Sequence, residues 1–370
     1  MRLNLLIDGG TVALGVAILG LTSPSYAWTM SEVLQTPVGS NISRIEALVV
    51  PKEAPNDIVF SSINIGAECG GGTPASIWRA TVDPLTHKAI SVNFVEQLSL
   101  VQNIRGALFE ASNGDFFSGG GWCGPKPPYY STDGAVTWQP ATKGVHPPNS
   151  TFSFTGFGGQ VYAGTGYDPY PGQVYRWLGP QGSNMFQLVL SIPRPRTIVG
   201  ALISFKNMLF VGSSVYGSGN CDGTTAIYKS NNGNIFDKTM GIPDCATVLH
   251  FMKVQGHLIA AIVNLGSENI VLYEWTGAYW RAKATVPLSG VDYYLITTDS
   301  RSIFAFGTPR PGLKATLYRS SDLGSSWSNF ATTPRGAPAI TVISAHDGGI
   351  FAASMGDVNG LAHIYWYSTK

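Results

Sequence analysis

Two short apolar signatures recur along the whole chain at a nearly fixed interval, and this periodicity limits the fold more than any other feature. The first is an apolar strand built around an aromatic residue or Ile and followed by small residues: Phe60, Phe117, Tyr162, Phe210, Ile259, Phe304 and Phe351. Successive members are 57, 45, 48, 49, 45 and 47 residues apart. The second follows each of these and is centred on Trp78, Tyr129, Tyr175, Tyr228, Tyr273, Tyr318 and Tyr365, at intervals of 51, 46, 53, 45, 45 and 47. A repeat of this length, made of short alternating strands, is the period of a β-propeller blade, in which four antiparallel strands radiate from a central channel.

The other two strands of each unit follow from these anchors. An apolar stretch precedes each first anchor, as in Thr197 to Phe205 and Ala339 to Ser344, and is expected to be the innermost strand. After each second anchor come a turn and a strand that opens on an aromatic and closes at a proline. The pairs Phe186 and Pro193, Phe236 and Pro243, Trp280 and Pro287, and Trp327 and Pro334 are all seven apart. Proline at a strand end removes no interior ladder hydrogen bond. The last repeat stops after its third strand at Lys370, whereas Trp28 to Leu34 reads as an orphan fourth strand ending at Pro37. Pairing the two closes the ring and removes an exposed edge. The expected fold is therefore all-β, a seven-bladed β-propeller whose N-terminal strand closes the last blade.

Composition agrees with many tight turns and little charge. The chain has 44 Gly, 23 Pro and 12% charged residues, against a usual charged share of roughly 25%. A formal net charge of +1 with no basic run gives no footprint for a phosphate backbone, so nucleic acid is not an expected partner. Residues 1–27 read as a signal peptide: Arg2 gives a positive start, Thr11 to Leu21 an apolar core, and Ser25-Tyr26-Ala27 a small-x-small cleavage site, although Asp8 departs from the pattern. An uncleaved anchor is the alternative, but this apolar run falls short of the ~20 residues a membrane span needs. The mature chain, residues 28–370, is then a single domain that is secreted or periplasmic, with no membrane span. The four cysteines have no C-x-x-C spacing and suit two disulfides in an oxidising compartment. From the blade order, Cys221 pairs with Cys245 and Cys69 with Cys123. Asn41 and Asn149 head glycosylation sequons.

The turns between third and fourth strands carry a motif. Ser320-Ser321-Asp322-Leu323-Gly324-Ser325-Ser326-Trp327 fits S-x-D-x-G-x-[ST]-W in full. Ser131 to Trp138 is a second copy, built on Asp133 with the glycine displaced by one, and Ser230 to Phe236 is a worn third copy with Asn for Asp and Phe for Trp. In such a turn the carboxylate accepts backbone N–H bonds, glycine relaxes the steric limit, and the indole buries beside the next strand. By these residues the chain resembles the Asp-box, or sialidase-type, repeat superfamily, a resemblance that covers almost the whole mature chain. It implies a structural part for Ser131, Asp133, Trp138, Ser320, Asp322, Gly324 and Trp327, because in that superfamily the boxes lie opposite the usual binding face. It does not extend to sialidase activity: the Arg-Ile-Pro signature is absent, and Ile192-Pro193-Arg194 has a different order.

Binding chemistry is expected on the other face, called the top, where long Gly- and aromatic-rich loops follow the second strands. Trp122, Tyr167 and Tyr170 are candidate stacking residues. Arg44, Arg105 and Arg196 sit at the crossings between blades, where innermost strands converge, and bidentate guanidiniums suit a carboxylate or sulfate. The ordinary alternative is that these rings cover blade tops and these arginines bond carbonyls or pair with Glu68, Asp168, Asp222 or Asp244. The six histidines are scattered over different blades without metal-ligand spacing, so neither metal nor cofactor is expected; catalytic residues are not identifiable. Two functions fit. One is an exported non-catalytic binding or scaffolding propeller that takes a protein or a glycan, including an anionic one, on its top face. The alternative is a carbohydrate-active enzyme, a glycosidase or polysaccharide lyase, with its site at the top of the channel.

Overall fold

The computed structural model describes residues 31–37, 44–63, 75–98, 107–119, 127–144, 150–167, 170–215, 226–241, 246–264, 269–288, 291–309, 316–332, 340–346, 349–356 and 361–368. Among these there is no helix. The chain is built of antiparallel four-strand sets, each a meander running from an inner to an outer strand. The N-terminal strand β1 (Ser31–Gln35) precedes the first set, β2 (Arg44–Val49), β3 (Asp57–Ile63), β4 (Ser76–Val82) and β5 (Ala89–Gln97). The second set has the shortest strands, β6 (Leu108–Glu110), β7 (Phe116–Ser118), β8 (Tyr129–Ser131) and β9 (Gln139–Pro140). The third is β10 (Thr151–Phe157), β11 (Gln160–Tyr167), β12 (Tyr170–Trp177) and β13 (Phe186–Pro195); the fourth is β14 (Thr197–Phe205), β15 (Met208–Val215), β16 (Ala226–Ser230) and β17 (Asp237–Gly241). The fifth set is β18 (Ala246–Val254), β19 (His257–Asn264), β20 (Asn269–Trp275) and β21 (Trp280–Thr285), and the sixth β22 (Val291–Thr298), β23 (Ile303–Pro309), β24 (Thr316–Ser320) and β25 (Ser328–Thr332). The last begins with β26 (Ile340–His346), β27 (Gly349–Gly356) and β28 (Ala362–Ser368). β1 pairs antiparallel with β28.

Every aromatic or Ile anchor of the first signature falls on the second strand of its set, and every anchor of the second signature on the third strand. The hydrophobic cores lie between neighbouring sets. Val59, Ile77, Phe116 and Trp138 fill the space between first and second, and Met252, Leu272, Ile303 and Leu323 that between fifth and sixth. Another core joins the first set to the last, with Ile45, Phe60 and Trp78 packed on Ile364, Trp366 and the Val33 and Leu34 side chains of β1. The first strands of successive sets run side by side, and β26 lies beside β2.

Two regular irregularities shape the sheets. On six first strands one residue is bulged out of the pairing with the second strand: Phe152, Gly200, Leu249 and Thr341 at one level, Glu46 a step away on β2, and Asp292 nearer the top end of β22. On six fourth strands a residue is bulged opposite the third-strand anchor: Val95, Val189, Thr239, Lys283, Phe330 and Val33 of β1. A bulge re-aims a side chain and adds twist. In β1 it lets both Val33 and Leu34 face the core, which strict alternation would forbid.

Two expectations on strand ends are corrected. β13 does not stop at Pro193 but continues to Pro195, which pairs with Pro171. It is the outermost strand of its set, where a missing N–H costs no ladder bond. β1, described over Ser31–Gln35, runs one residue past the expected end at Leu34; Trp28, Thr29 and Met30 lie outside the described residues.

Candidate functional site

Strand alternation assigns the connections to two ends. Loops between second and third strands and the crossings between sets share the top end, while first-to-second hairpins and third-to-fourth turns share the bottom. Of the six residues expected at a top site, Arg105 and Trp122 lie outside the described residues, as do all four cysteines and both sequon asparagines. Three of the remaining four come together on the third set. Tyr167 and Tyr170 face each other across the β11–β12 hairpin. Arg196, the single residue linking β13 to β14, donates its backbone N–H to the Tyr170 carbonyl at 3.0 Å. Arg196 has φ +60°, a left-handed conformation uncommon outside glycine, and its side chain is exposed. The Tyr170 ring is 52% exposed. Thr197 anchors the cluster from below, its buried Oγ1 accepting the Gly172 N–H at 2.7 Å.

Arg44 is placed differently. It opens β2, is 7% exposed, and its Nε donates to Glu46, itself buried. This partner was missed because Glu46 is the bulged residue of β2, and a bulge is invisible in the residue pattern. Two polar side chains on inner strands were passed over in the same way. Thr341, bulged on β26, donates from Oγ1 to the Ile45 carbonyl of β2 at 2.5 Å. His250, next to the bulged Leu249 of β18, keeps solvent access while protein surrounds it. The loss of bulk water around it pushes its pKa down from 6.5 to about 4, so the imidazole is neutral at pH 7 and able to accept a proton. Its position on a first strand was the available signal.

The motif turns lie at the bottom. Asp322 Oδ1 accepts the Ser320 hydroxyl at 2.8 Å and the Ser326 N–H at 2.8 Å, and Oδ2 accepts the Ser326 hydroxyl at 2.6 Å. The Gly324 N–H reaches Ser320 Oγ at 2.7 Å, and Trp327 Nε1 donates to the Gly324 carbonyl at 3.0 Å. Asp133 accepts the Ser131 hydroxyl at 2.7 Å and the Thr137 N–H and hydroxyl at 2.9 and 2.5 Å, and Trp138 is buried. The displaced glycine has a simple cause. Each turn needs two consecutive left-handed residues, Leu323 and Gly324 in one and Gly134 and Ala135 in the other, and glycine relieves either position. Hydrogen bonds from the Ser326 side chain and backbone, with Ser320, hold the Asp322 carboxyl at about 2. At Asp133 burial opposes the shift, and bonds from Thr137, Ser131 and Val136 overcome it, again giving about 2. Both carboxylates are consumed by their own turns and have no proton to offer near neutral pH.

No protein-family model matches the chain, and no curated protein matches it. Solved structures do. An oligogalacturonate lyase from Vibrio parahaemolyticus superposes with TM-score 0.60 at 9% identity, covering 93% of this chain and 97% of that one. An ulvan lyase bound to -[GlcA(1-4)Rha3S]- gives 0.58 at 11% identity, with 92% and 96% covered. The β-propeller domain of the Trilobed protease from Pyrococcus furiosus gives 0.54 at 9% identity, with 88% and 96% covered. The chain has the fold of a β-propeller. Among the described residues no helix is long and apolar enough to cross a membrane.

Proposed function

We propose that this chain is a carbohydrate-active propeller that cleaves an anionic, uronate-containing polysaccharide by β-elimination at its top face. The observation that carries the reading is fold likeness over nearly the full length of both partners to lyases of two such polymers. Fold alone does not assign chemistry, so the residues must supply it. β-Elimination breaks the C–H bond next to the uronate carboxylate, forms a C=C bond and expels the glycosidic oxygen, which takes up a proton. It needs a cation on the carboxylate, a base for the carbon-bound proton and an acid for the leaving oxygen. The exposed Arg196 guanidinium is the cation we assign, with Arg105 as its expected neighbour. The hydroxyl of Tyr170, the residue whose carbonyl accepts the Arg196 N–H, is the proton carrier we assign, and neutral His250 is the acceptor assigned on an inner strand. Trp122 and Tyr167 are assigned to stacking on sugar rings, while Arg44, held by Glu46, shapes the β2 entry.

The finer architecture belongs to the same reading. The four-strand sets are seven blades of one ring, and β1 supplies the outer strand of the last; support comes from the β1–β28 pairing and from the Val33 bulge at the position bulged in other fourth strands. The turns around Asp133 and Asp322 are Asp boxes, supported by their carboxylate-centred bonding. Residues 1–27 are a cleaved leader, residues 28–370 one exported domain, and Cys221–Cys245 and Cys69–Cys123 its disulfides.

The test is incubation of the mature protein with polygalacturonate, ulvan and neutral dextran, following the ultraviolet absorbance of the unsaturated uronate. Growth on an acidic polymer but not dextran, with Arg196→Gln reduced roughly ten-fold or more, is expected. Binding of an acidic polymer without any cleavage sinks the enzyme reading and leaves the non-catalytic binding propeller in its place.

A further inference from the structure

The bottom end holds a cavity of about 960 Å3 among the first-to-second hairpins of the second, third and fourth sets, with Lys253 from the end of β18 on its wall. This is a ligand-sized volume. Its lining residues include two lysines, Lys206 and Lys253, and one acid, Asp115. The carboxylate is engaged, accepting from Asn113 Nδ2 at 2.7 Å. Neither lysine forms an ion pair among the described residues. The amides of Asn207 and Asn231 also face this space without a side-chain hydrogen bond among the described residues. Phe157 and Phe205 supply half-buried rings on the same wall.

Lys206 stands out from its equivalents. The hairpins of the third, fourth and fifth sets are two-residue turns with both central φ values positive: Gly158 and Gly159 at +57° and +76°, Lys206 and Asn207 at +46° and +59°, Gln255 and Gly256 at +51° and +76°. Glycine meets that demand without strain, and a long side chain does not. Gln255 has a reason within the fold, since its Nε2 donates to the Arg301 and Ser321 carbonyls at 2.8 and 2.7 Å. Lys206 has no such bond among the described residues; its ammonium lies 5.2 Å from the centroid of the Phe205 ring at the cavity wall. A strained residue kept without a structural bond points to a ligand. Lys253 agrees, because desolvation lowers its pKa and a bound anion would offset that cost.

We propose that this cavity is a second carbohydrate site, taking an acidic oligosaccharide whose carboxylate or sulfate sits between Lys206 and Lys253 while a sugar face rests on Phe205. The anionic class follows from two cations that form no ion pair among the described residues; the choice of a sugar rests on the proposed function. Occupancy at the end opposite Arg196 would let the propeller hold a polymer away from the site of cleavage.

Calorimetric titration of the full mature chain with trigalacturonate, with a sulfated disaccharide and with maltotriose tests it. The parent should bind at least one acidic ligand and not maltotriose. Lys206→Gly should lose roughly ten- to a hundred-fold in affinity, the range for a charged hydrogen bond, while its melting temperature stays the same or rises because strain is relieved. Lys253→Gln should lose a similar factor. Arg196→Gln should keep this binding event, so that failure of the cleavage reading is told apart from failure of this one. Absence of acidic-ligand binding by the parent overturns the proposal. So does unchanged affinity in both lysine variants, or binding abolished by Arg196→Gln alone.

Discussion

Replacing Val33 and Leu34 by alanine removes the core contribution of β1 and should destabilise the whole ring, although both residues lie within five residues of the described N-terminal end. They are 4% and 5% exposed and pack with Ile45, Phe60, Ile364 and Trp366. A buried Leu→Ala change costs ~2–5 kcal/mol, and the two carbons lost from Val33 add about 1.5 kcal/mol of transfer free energy. The two sites share one cavity, so the sum is not strictly additive; roughly 3–6 kcal/mol is expected for the pair. Against a typical stability of about 5–15 kcal/mol, this is a large fraction. Urea denaturation followed by tryptophan fluorescence suits the question, since Trp78 and Trp366 lie in the affected core. The midpoint should fall markedly. Glu32→Ala on the same strand is the control: Glu32 is half exposed and its carboxylate lies 2.9 Å from Nδ1 of the buried His363, a single hydrogen bond worth about 1 kcal/mol. An unchanged midpoint in the double variant would refute the idea that β1 completes the last set.

Three further outcomes are expected. Asp133 and Asp322 have folded pKa values of about 2, below the ordinary 3.8; their contribution is therefore complete above pH 4 and lost as pH falls from about 4 to 2. Exposure limits it to about 1 kcal/mol each, and urea midpoints from pH 5 to 2 should show a drop that Asp322→Asn reduces. Gly324→Ala would set a Cβ 2.4 Å from Leu272 Cδ1 at φ +90°, so a loss of about 1–3 kcal/mol is expected, read from the same denaturation curves. The His250 imidazole should titrate by NMR near pH 4, and a value near 6.5 would mean that the inner strands do not enclose it.

The repeat was legible because each anchor obeys a rule of local chemistry. Phe60, Phe210 and Phe304 recur because the second strand of each set is buried on both faces, so its pattern is a continuous apolar run rather than an alternation. The motif turns were legible because carboxylate, hydroxyl and glycine must stand at fixed offsets to close the turn. The bulges were not. Glu46 two residues after Arg44 reads as an ordinary strand alternation, and nothing in the residue pattern marks the slipped pairing of Ile45 with Ser62 and Ala47 with Ser61 at which the two side chains meet. The meeting of Tyr167, Tyr170 and Arg196 was only partly legible, since it depends on β13 running on to Pro195 and leaving one residue for the crossing.

The bottom turns also explain why a cavity opens where it does. Third-to-fourth turns dock on the set before their own: Trp138 N–H donates to Glu96 of β5 at 2.8 Å, Leu323 enters the core of the fifth set, and the His87 ring lies 4.6 Å from Trp366 of β28. Each such contact fills the gap between a set and the one before it. The second set differs in length from the third, with strands of three, three, three and two residues beside third-set strands of seven, eight, eight and ten. The short hairpin Ala111–Asp115 therefore leaves the ends of β10 and β11 uncovered, and the space between is the cavity. The fold tolerates that gap because its cores lie between neighbouring sets, whereas filling it with apolar side chains would add stability. Lysines and asparagines occupy its wall instead, and the Lys206→Gly and Lys253→Gln variants test whether they do so for a ligand.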